Sequence, residues 1–169
     1  RGRGHRPDAD LYRRRQPADP LCRRGAIFIG CDDSLCIDPD AVEDFCANRC
    51  ELRDGRLYNK ATGAHIKALE VVHVFGNMAD MPRLMAIAKR YGLIVIEDAT
   101  EALGTRCTDG PFAGKFAGTI GDIGCYSFNG NKIITTGAGA WSCPTTLTGP
   151  STPSICPPRP RPICCNFAR

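Results

Sequence analysis

Lysine is scarce in this chain and is absent from both of its ends. All five lysines fall between Lys60 and Lys132, whereas residues 1–24 hold eight arginines and no lysine. Residues 141–169 contain neither lysine nor an acidic residue, but they hold seven prolines and four cysteines. A stretch of this composition buries too little aliphatic surface to offset its ordering entropy. We therefore expect residues 1–25 and 141–169 to be irregular and residues 26–140 to form the folded unit.

The sequence also lacks an apolar run of membrane-spanning length and an apolar segment typical of a secretion signal. Nothing in it indicates export or a membrane partner, and we expect a cytoplasmic protein. Its eleven cysteines are an odd number, which argues against a closed set of disulfides. The central ones form no C-x-x-C pair, and Cys46 and Cys50 have no histidine at ligand spacing. Reduced thiols and no metal site are predicted, with a cysteine-rich metal module as the alternative.

Charge is distributed unevenly along the chain. The two ends carry eleven arginines against three aspartates, whereas the centre has eleven basic and fifteen acidic residues. The formal charge of +4 therefore says nothing about the folded unit. A nucleic-acid-binding face would interleave basic and aromatic residues, but the arginine-rich N-terminal segment has only Tyr12. We predict no nucleic-acid partner.

The most informative segment is DIGCYSFNGNKIITTGAG, residues 122–139. Residues 125–128 have β character, residues 129–131 break it, and residues 133–136 resume it. Lys132 therefore lies in a polar turn between two extended segments, which is how an enzyme would present an amine. The alternative is a solvated lysine without a function.

A second segment, LIVI at residues 93–96, is followed at once by EDATE. This pattern predicts a buried parallel strand ending in carboxylates, and ligands of open α/β sheets bind at the carboxyl ends of strands. Asp98 is therefore placed to be functional. A lysine amine and a strand-end aspartate suit pyridoxal phosphate, since the lysine forms a Schiff base and the carboxylate keeps the pyridine nitrogen protonated. The hydroxyl of Ser127 is available for the phosphate.

Two strings of the sequence carry a resemblance to a known family. VVHVFGNMADMPRLMAIAKRYGLIVIEDATEALG and GKFAGTIGDIGCYSFNGNKIITTGAGA resemble the centre of a DegT/StrS-type sugar aminotransferase, a pyridoxal-phosphate enzyme of the aspartate-aminotransferase fold. The resemblance covers residues 26–140. It implies an α/β fold class: part of the large domain of a fold-type I transferase, with a mostly parallel sheet and flanking helices.

The resemblance also implies roles for particular residues. Lys132 would be the Schiff-base lysine, Asp98 the partner of the pyridine nitrogen, and Ser127 a phosphate or cofactor contact. Glu101 stands where many members carry a glutamine that contacts the cofactor ring region. The implied reaction moves an amino group from an amino acid such as glutamate to a keto sugar carried on a nucleotide, for polysaccharide or glycan precursors. The implied assembly is a homodimer.

The matching region is only the middle of the longer family pattern, so we expect this chain to be a fragment. A non-catalytic fragment or a passive binding module is the alternative to an enzyme. We hypothesise that both ends are out-of-frame translations, because codons for residues 5–24 and for the tail can be chosen so that shifted frames read like the neighbouring family segments. A true extension with its own function is the alternative for the ends.

The remaining elements fit an alternating α/β layout. His73 is interpreted as a satisfied core or strand-end group, and Asn77 as a residue that approaches the site. The predicted elements are a strand at 26–29, a helix that begins at Asp38 and Pro39 and ends near Arg49, a hairpin-like excursion at 53–65, a strand at 68–74 and a helix from Asp80 to Gly92.

Overall fold

The computed structural model describes residues 26–145 and the backbone of residues 154–156. These residues form two sheets, one of three strands and one of five. The strands are β1 (Cys50–Arg53), β2 (Arg56–Asn59), β3 (His65–Ile66), β4 (Ala68–Val72), β5 (Ile94–Asp98), β6 (Ile123–Ser127), β7 (Ala140–Pro144) and β8 (Ser154–Cys156). The helices are α1 (Pro39–Asp44), which continues as a π-helical turn at Phe45–Arg49, and α2 (Met81–Tyr91). Short 3-10 turns lie at Val74–Gly76 and Gly110–Phe112.

Both helices begin and end where their local sequence predicts. The Asp38 side chain accepts a hydrogen bond from the Asp40 N–H at 2.8 Å, with Pro39 in the first helical turn. In α2 the Asp80 side chain caps the first turn through the Arg83 N–H at 3.1 Å. Gly92 ends α2 with φ +66°, the left-handed conformation that glycine tolerates best. The predicted boundaries of both helices are confirmed.

The five-stranded sheet carries the predicted site. Strands β4, β5 and β6 are parallel neighbours, whereas β7 and β8 pair antiparallel. The connection from β4 to β5 runs through α2, whose apolar face packs on the sheet beside the fully buried Val71 and Val95. The buried residues of α2 are Met81, Leu84, Ile87 and Ala88. The expected α/β architecture is confirmed, and its sheet is mixed.

The predicted excursion is an antiparallel meander of β1, β2 and β3. It begins at Cys50, three residues earlier than expected, because Cys50 already pairs with Asn59. Its turn at Gly55 rests on the end of α2: a Cβ atom added at Gly92 would come 2.5 Å from the Gly55 carbonyl oxygen. The meander therefore packs against the C-terminal end of α2, where Gly92 ends the helix.

Two predicted strands are wrong. Residues 26–29 have no strand partner within the described part of the chain, and Ile27 and Phe28 are exposed. Residues 133–136 form no strand within the described part of the chain either: the Thr136 N–H donates to the Phe128 carbonyl oxygen at 3.0 Å in the same loop, and Ile133 and Ile134 are exposed. Apolar β-branched residues favour a strand, but a strand forms only where a neighbour accepts its hydrogen bonds.

Ordered structure continues past the border predicted at residue 140. Strand β7 pairs with β6 along its whole length, with Trp141 opposite Tyr126. The two rings lie 6.4 Å apart between centroids, so pairing and aromatic contact together hold a segment whose composition predicted irregularity. Residues 1–25 and most of 146–169 lie outside the described residues, so the predictions for the two ends stay predictions. None of the described helices is long and apolar enough to cross a membrane.

A substitution at Gly124 tests the packing of β6. A Cβ atom there would overlap the carbonyl oxygen of Gly118, which is backbone and cannot rotate away. We expect Gly124→Ala to lower the free energy of unfolding by about 3 kcal/mol, at the upper end of overpacking costs. Urea unfolding measures this, with Gly30→Ala as control, since no atom lies within 4 Å of a Cβ at Gly30. Equal stability of the two variants would contradict the packing described for β6.

Candidate active site

Asp98 and Ser127 lie at the same edge of the sheet because they end neighbouring parallel strands. Val72 pairs with Asp98 across β4 and β5, and Asp98 pairs with Cys125 across β5 and β6. The Ala99 N–H donates to the Cys125 carbonyl oxygen at 2.9 Å, which extends the pairing beyond β5. The carboxyl edge predicted from the sequence is therefore formed, and it carries both predicted residues.

Local hydrogen bonds orient both side chains at this edge. The half-buried Asp98 accepts the Thr100 N–H on Oδ1 at 3.0 Å, an Asx-type turn. The half-buried Ser127 accepts the Asn129 N–H on Oγ at 3.4 Å. Their contacts with a cofactor stay a prediction, but both polar groups stand where the site was expected.

Lys132 lies in the loop of residues 128–139 between β6 and β7. The Phe128 N–H donates to the Gly139 carbonyl oxygen at 2.8 Å and closes the base of the loop. Inside it, the Lys132 N–H donates to the Asn129 carbonyl oxygen at 3.0 Å, which forms the predicted turn. The Lys132 side chain is only 17% exposed, and its Nζ donates to Glu101 Oε1 at 3.3 Å. A fully solvated lysine, the alternative at this position, does not describe this side chain.

Glu101 joins the lysine loop to the end of β4. Its Oε1 accepts from Lys132, and its Oε2 accepts from the Phe75 N–H at 3.1 Å. Phe75 has a left-handed backbone, with φ 54° and ψ 23°, and a side chain that is 72% exposed. A bulky residue rarely adopts this conformation without a reason, and strained positions cluster at functional sites. The structure therefore brings Glu101 to the lysine, and the predicted ring contact of Glu101 stays a prediction.

The groups at this edge have the chemistry that pyridoxal phosphate requires. Lys132 supplies an amine, Asp98 a carboxylate at a strand end, and Ser127 a hydroxyl beside a polar turn. The lysine side chain is partly buried, and its amine is held by the carboxylate of Glu101. When bound, pyridoxal phosphate supplies an electron sink for reactions at an amine-bearing carbon. The residues present therefore fit the cofactor.

A buried carboxylate next to Asp98 is the feature that sequence reasoning missed. Glu97 is fully buried and accepts four hydrogen bonds. Its donors are His73 Nε2 at 2.9 Å and the backbone N–H groups of Gly118 at 2.8 Å, Ile120 at 2.6 Å and Gly121 at 2.5 Å. Burial raises the pKa of Glu97, but the bonds from His73 and the three N–H groups lower it more, so its pKa lies below the ordinary value. Glu97 therefore stays charged in the core.

His73 is the satisfied core histidine that was predicted. Its Nδ1 accepts the Ala79 N–H at 3.2 Å, so that nitrogen carries no proton. Nε2 must then carry the ring hydrogen and donate it to Glu97. The imidazole is neutral in this arrangement, and the backbone N–H groups share with it the stabilisation of the Glu97 charge.

The alternation of β5 could have pointed to this pair. Glu97 follows Val95 by two residues and so faces the same side of the strand, the side that α2 covers. A glutamate on a buried face requires donors, and His73 follows the neighbouring strand directly. The three N–H donors, in contrast, come from a loop more than twenty residues later, and no local sequence pattern predicts them.

Asn77, which was expected to approach the site, lies elsewhere in the network of hydrogen bonds. Its Nδ2–H donates to the Ser34 carbonyl oxygen at 3.1 Å and holds the loop before α1.

The described residues offer no site for a metal module. Within residues 26–145 and 154–156, no group of three or more histidine, cysteine, aspartate or glutamate residues could hold a metal ion. Burial, with smaller effects from Cys50 and Glu43, raises the pKa of the Cys46 thiol to about 11. The Cys46 thiol is therefore protonated at neutral pH.

Comparison with known proteins agrees with this geometry. The chain matches the model of the DegT/DnrJ/EryC1/StrS aminotransferase family over residues 21–141. It is similar to GDP-perosamine synthase of Caulobacter vibrioides, with 47% identity over 73 residues, which are 43% of this chain and 18% of that protein. It is also similar to the putative pyridoxal phosphate-dependent aminotransferase EpsN of Bacillus subtilis, with 45% identity over 80 residues, 47% of this chain and 19% of that protein.

A solved structure shows the same fold. The crystal structure of DesI in the presence of its TDP-sugar product superposes with a TM-score of 0.54 and 26% identity, covering 71% of this chain and 26% of that one. The chain thus spans about a fifth of the length of the curated relatives named above. The family match is to aminotransferases, and EpsN is named for dependence on pyridoxal phosphate, in agreement with the cofactor predicted from the sequence. The family model covers most of the chain, and the predicted amine of Lys132 and carboxylate of Asp98 lie at the expected edge of the sheet. This chain therefore belongs to the DegT/DnrJ/EryC1/StrS aminotransferase family.

Proposed function

We propose that this chain supplies the cofactor-binding centre of a pyridoxal-phosphate aminotransferase that acts on a nucleotide-linked keto sugar, with an amino acid such as glutamate as donor. The observation that carries the proposal is the partly buried amine of Lys132. It lies at the edge of the sheet where the parallel strands have their carboxyl ends, and Asp98 is the last residue of β5 at this edge. GDP-perosamine synthase and the DesI complex are both named for nucleotide-linked sugars, which supports this class of acceptor. The product class is a precursor of polysaccharides or glycans.

The proposal assigns a role to each site residue. Lys132 would hold the cofactor through its amine and, once released, would move a proton at the reacting carbon. Asp98 would hold the ring nitrogen, and Ser127 would hold the phosphate. Glu101 holds the lysine before attachment.

A homodimer in the cytoplasm is part of the proposal. Three exposed apolar side chains lie beside Lys132 or Glu101, namely Phe75, Ile133 and Ile134. A cluster of apolar side chains around a site is typical of a surface that another subunit covers. The buried free thiols of Cys36, Cys46 and Cys50 support a reducing compartment.

Trapping the cofactor tests the proposed centre. The 169-residue chain is incubated with pyridoxal phosphate and reduced with borohydride, which fixes the carbon–nitrogen bond, and the modified peptide is identified by mass spectrometry. We expect one modified residue, Lys132. Equal modification of the exposed lysines, for example Lys67 and Lys89, would contradict a built site.

A chain without catalysis is the second candidate. In that case the chain folds and serves as a passive module that retains only the sheet. The same samples distinguish the two by an assay of amino transfer from glutamate to a keto sugar nucleotide. Cofactor on Lys132 without transfer would indicate an intact centre in an inactive chain, whereas a folded chain without cofactor would indicate the passive module.

A further inference from the structure

Among the described residues, the Glu101 carboxylate has two hydrogen-bond partners, and both of them are donors. Its Oε1 lies 3.3 Å from Lys132 Nζ, and its Oε2 lies 3.1 Å from the Phe75 backbone nitrogen. Neither an ammonium group nor a backbone N–H can accept a hydrogen bond. The position therefore requires two acceptor atoms on one side chain. A carboxylate provides them, but a glutamine amide provides one acceptor oxygen and one donor nitrogen.

The two contacts come from separate parts of the chain. Phe75 lies in the 3-10 turn after β4, and Lys132 lies in the loop after β6. Glu101, in the segment that follows β5, therefore connects the segments after three neighbouring strands. Phe75, whose N–H donates to Glu101, adopts φ 54°, a conformation that is unfavourable for a residue other than glycine. Its side chain is largely exposed, so core packing does not account for the conformation.

We infer that Glu101 is a positioning residue that clamps the Lys132 amine to the Phe75 backbone, and that glutamate rather than glutamine is required here because both partners are donors. The clamp holds the amine at the edge of the sheet before the cofactor binds. The clamp extends the proposed function. Only the expected effect of the clamp on cofactor attachment rests on that function. The clamp itself is a property of the chain alone.

The decisive variant is Glu101→Gln, which keeps the shape of the side chain and removes one acceptor. The two donors bond different oxygens of Glu101, so glutamine, which has an acceptor at only one of these two positions, keeps one contact in this geometry and opens the other. Glu101→Ala opens both. Glu51→Gln is the matched control, because it also converts an ion-paired carboxylate to an amide, at the exposed pair with Arg53 on the meander. Circular dichroism establishes that every variant is folded.

Two measurements on the cofactor-free chain test the clamp. Acylation of Lys132 by an acetylating reagent, relative to the exposed Lys67, is expected to rise several-fold in Glu101→Ala, because the released side chain gains exposure. Hydrogen exchange of the Phe75 amide, followed by NMR, is expected to speed up about tenfold, the loss of one ordinary hydrogen bond. In Glu101→Gln at least one of the two must change. If neither changes in either variant, the clamp is overturned, whatever the cofactor does.

Adding pyridoxal phosphate tests the consequence. The rate of cofactor attachment to Lys132 is expected to fall about tenfold in Glu101→Gln, while Glu51→Gln attaches it at the wild-type rate. If attachment is equally fast in all variants although labelling and exchange have changed, the positioning role is overturned. If no variant and not even the wild type attaches cofactor, the proposed function fails and the clamp is judged by labelling and exchange alone.

Discussion

Replacing Lys132 by alanine is expected to abolish covalent attachment of pyridoxal phosphate to this chain. No other lysine shares its surroundings, since the remaining four lie in the meander, in α2 or in loops and are exposed. The absorbance of the attached cofactor should be lost entirely, and borohydride reduction should leave no modified peptide. The fold should survive, because a partly exposed ion pair such as Lys132–Glu101 contributes at most about 1 kcal/mol.

The matched control is Lys67→Ala, which removes an exposed lysine ahead of β4. It should attach the cofactor like the wild type. Attachment that persists in Lys132→Ala at the wild-type yield would remove Lys132 from the proposed role and with it the main support for the proposed function. Circular dichroism and urea unfolding show whether a loss of signal is chemical or comes from unfolding.

Replacing Glu97 by alanine is expected to destabilise the chain by about 3–5 kcal/mol, which is a large part of the total stability of a small domain. The variant leaves three buried backbone N–H groups and the His73 ring hydrogen without their acceptor. Each buried donor without a partner costs about 1–3 kcal/mol. Water that enters the site and accepts a hydrogen bond offsets part of this cost. Urea unfolding measures the loss.

Glu97→Gln is the milder variant if the alanine variant does not fold. Its amide nitrogen would face N–H donors, so we expect an intermediate loss of about 2 kcal/mol. Glu43→Gln is the control, because the Glu43 carboxylate pairs with Arg90 on the surface and its loss should cost less than about 1 kcal/mol. Equal stability of the Glu97 and Glu43 variants would show that the buried network contributes nothing.

The same carboxylate makes stability depend on pH. The pKa of Glu97 in the folded chain lies below its ordinary value of 4.5, so the unfolded chain takes up a proton first as pH falls. Its contribution is therefore complete above pH 4.5 and is lost as pH falls through the folded pKa. The stability difference between wild type and Glu97→Gln should be constant near neutral pH and shrink in acid. A difference that grows in acid would contradict the charged state of Glu97.

Local sequence was sufficient for the helices and for the edge that carries the site. Asp80 and Gly92 bound α2 through contacts within one turn of the chain, which need no tertiary partner. The apolar run before Asp98 correctly predicted β5 and its parallel pairing, but the expectation of a fully buried strand is wrong, because Val95 and Glu97 are buried while Ile94 is exposed. The turn at Lys132 followed from asparagine and glycine alone.

Pairing partners were beyond local sequence, and this is where strand predictions failed. Residues 133–136 are as apolar as the residues of β6, yet among the described residues they join no strand, and the Thr136 N–H bonds the Phe128 carbonyl oxygen within the same loop. Trp141, in a segment of unfavourable composition, became part of β7 because β6 offers a free edge and Tyr126 an aromatic neighbour. Whether an extended segment becomes a strand depends on a partner that is distant in sequence.

The sequence by itself determined the family resemblance, the helix boundaries and the candidate residues Lys132 and Asp98, because these rest on residue types and spacings along the chain. The tertiary structure alone decided that Glu101 holds Lys132 across 31 positions of sequence and that Glu97 collects donors from His73 and the loop before β6. Both arrangements depend on the parallel alignment of β4, β5 and β6, which brings their carboxyl ends together. Charge pairing acts over a few ångströms, so only the folded chain selects which acids and bases meet.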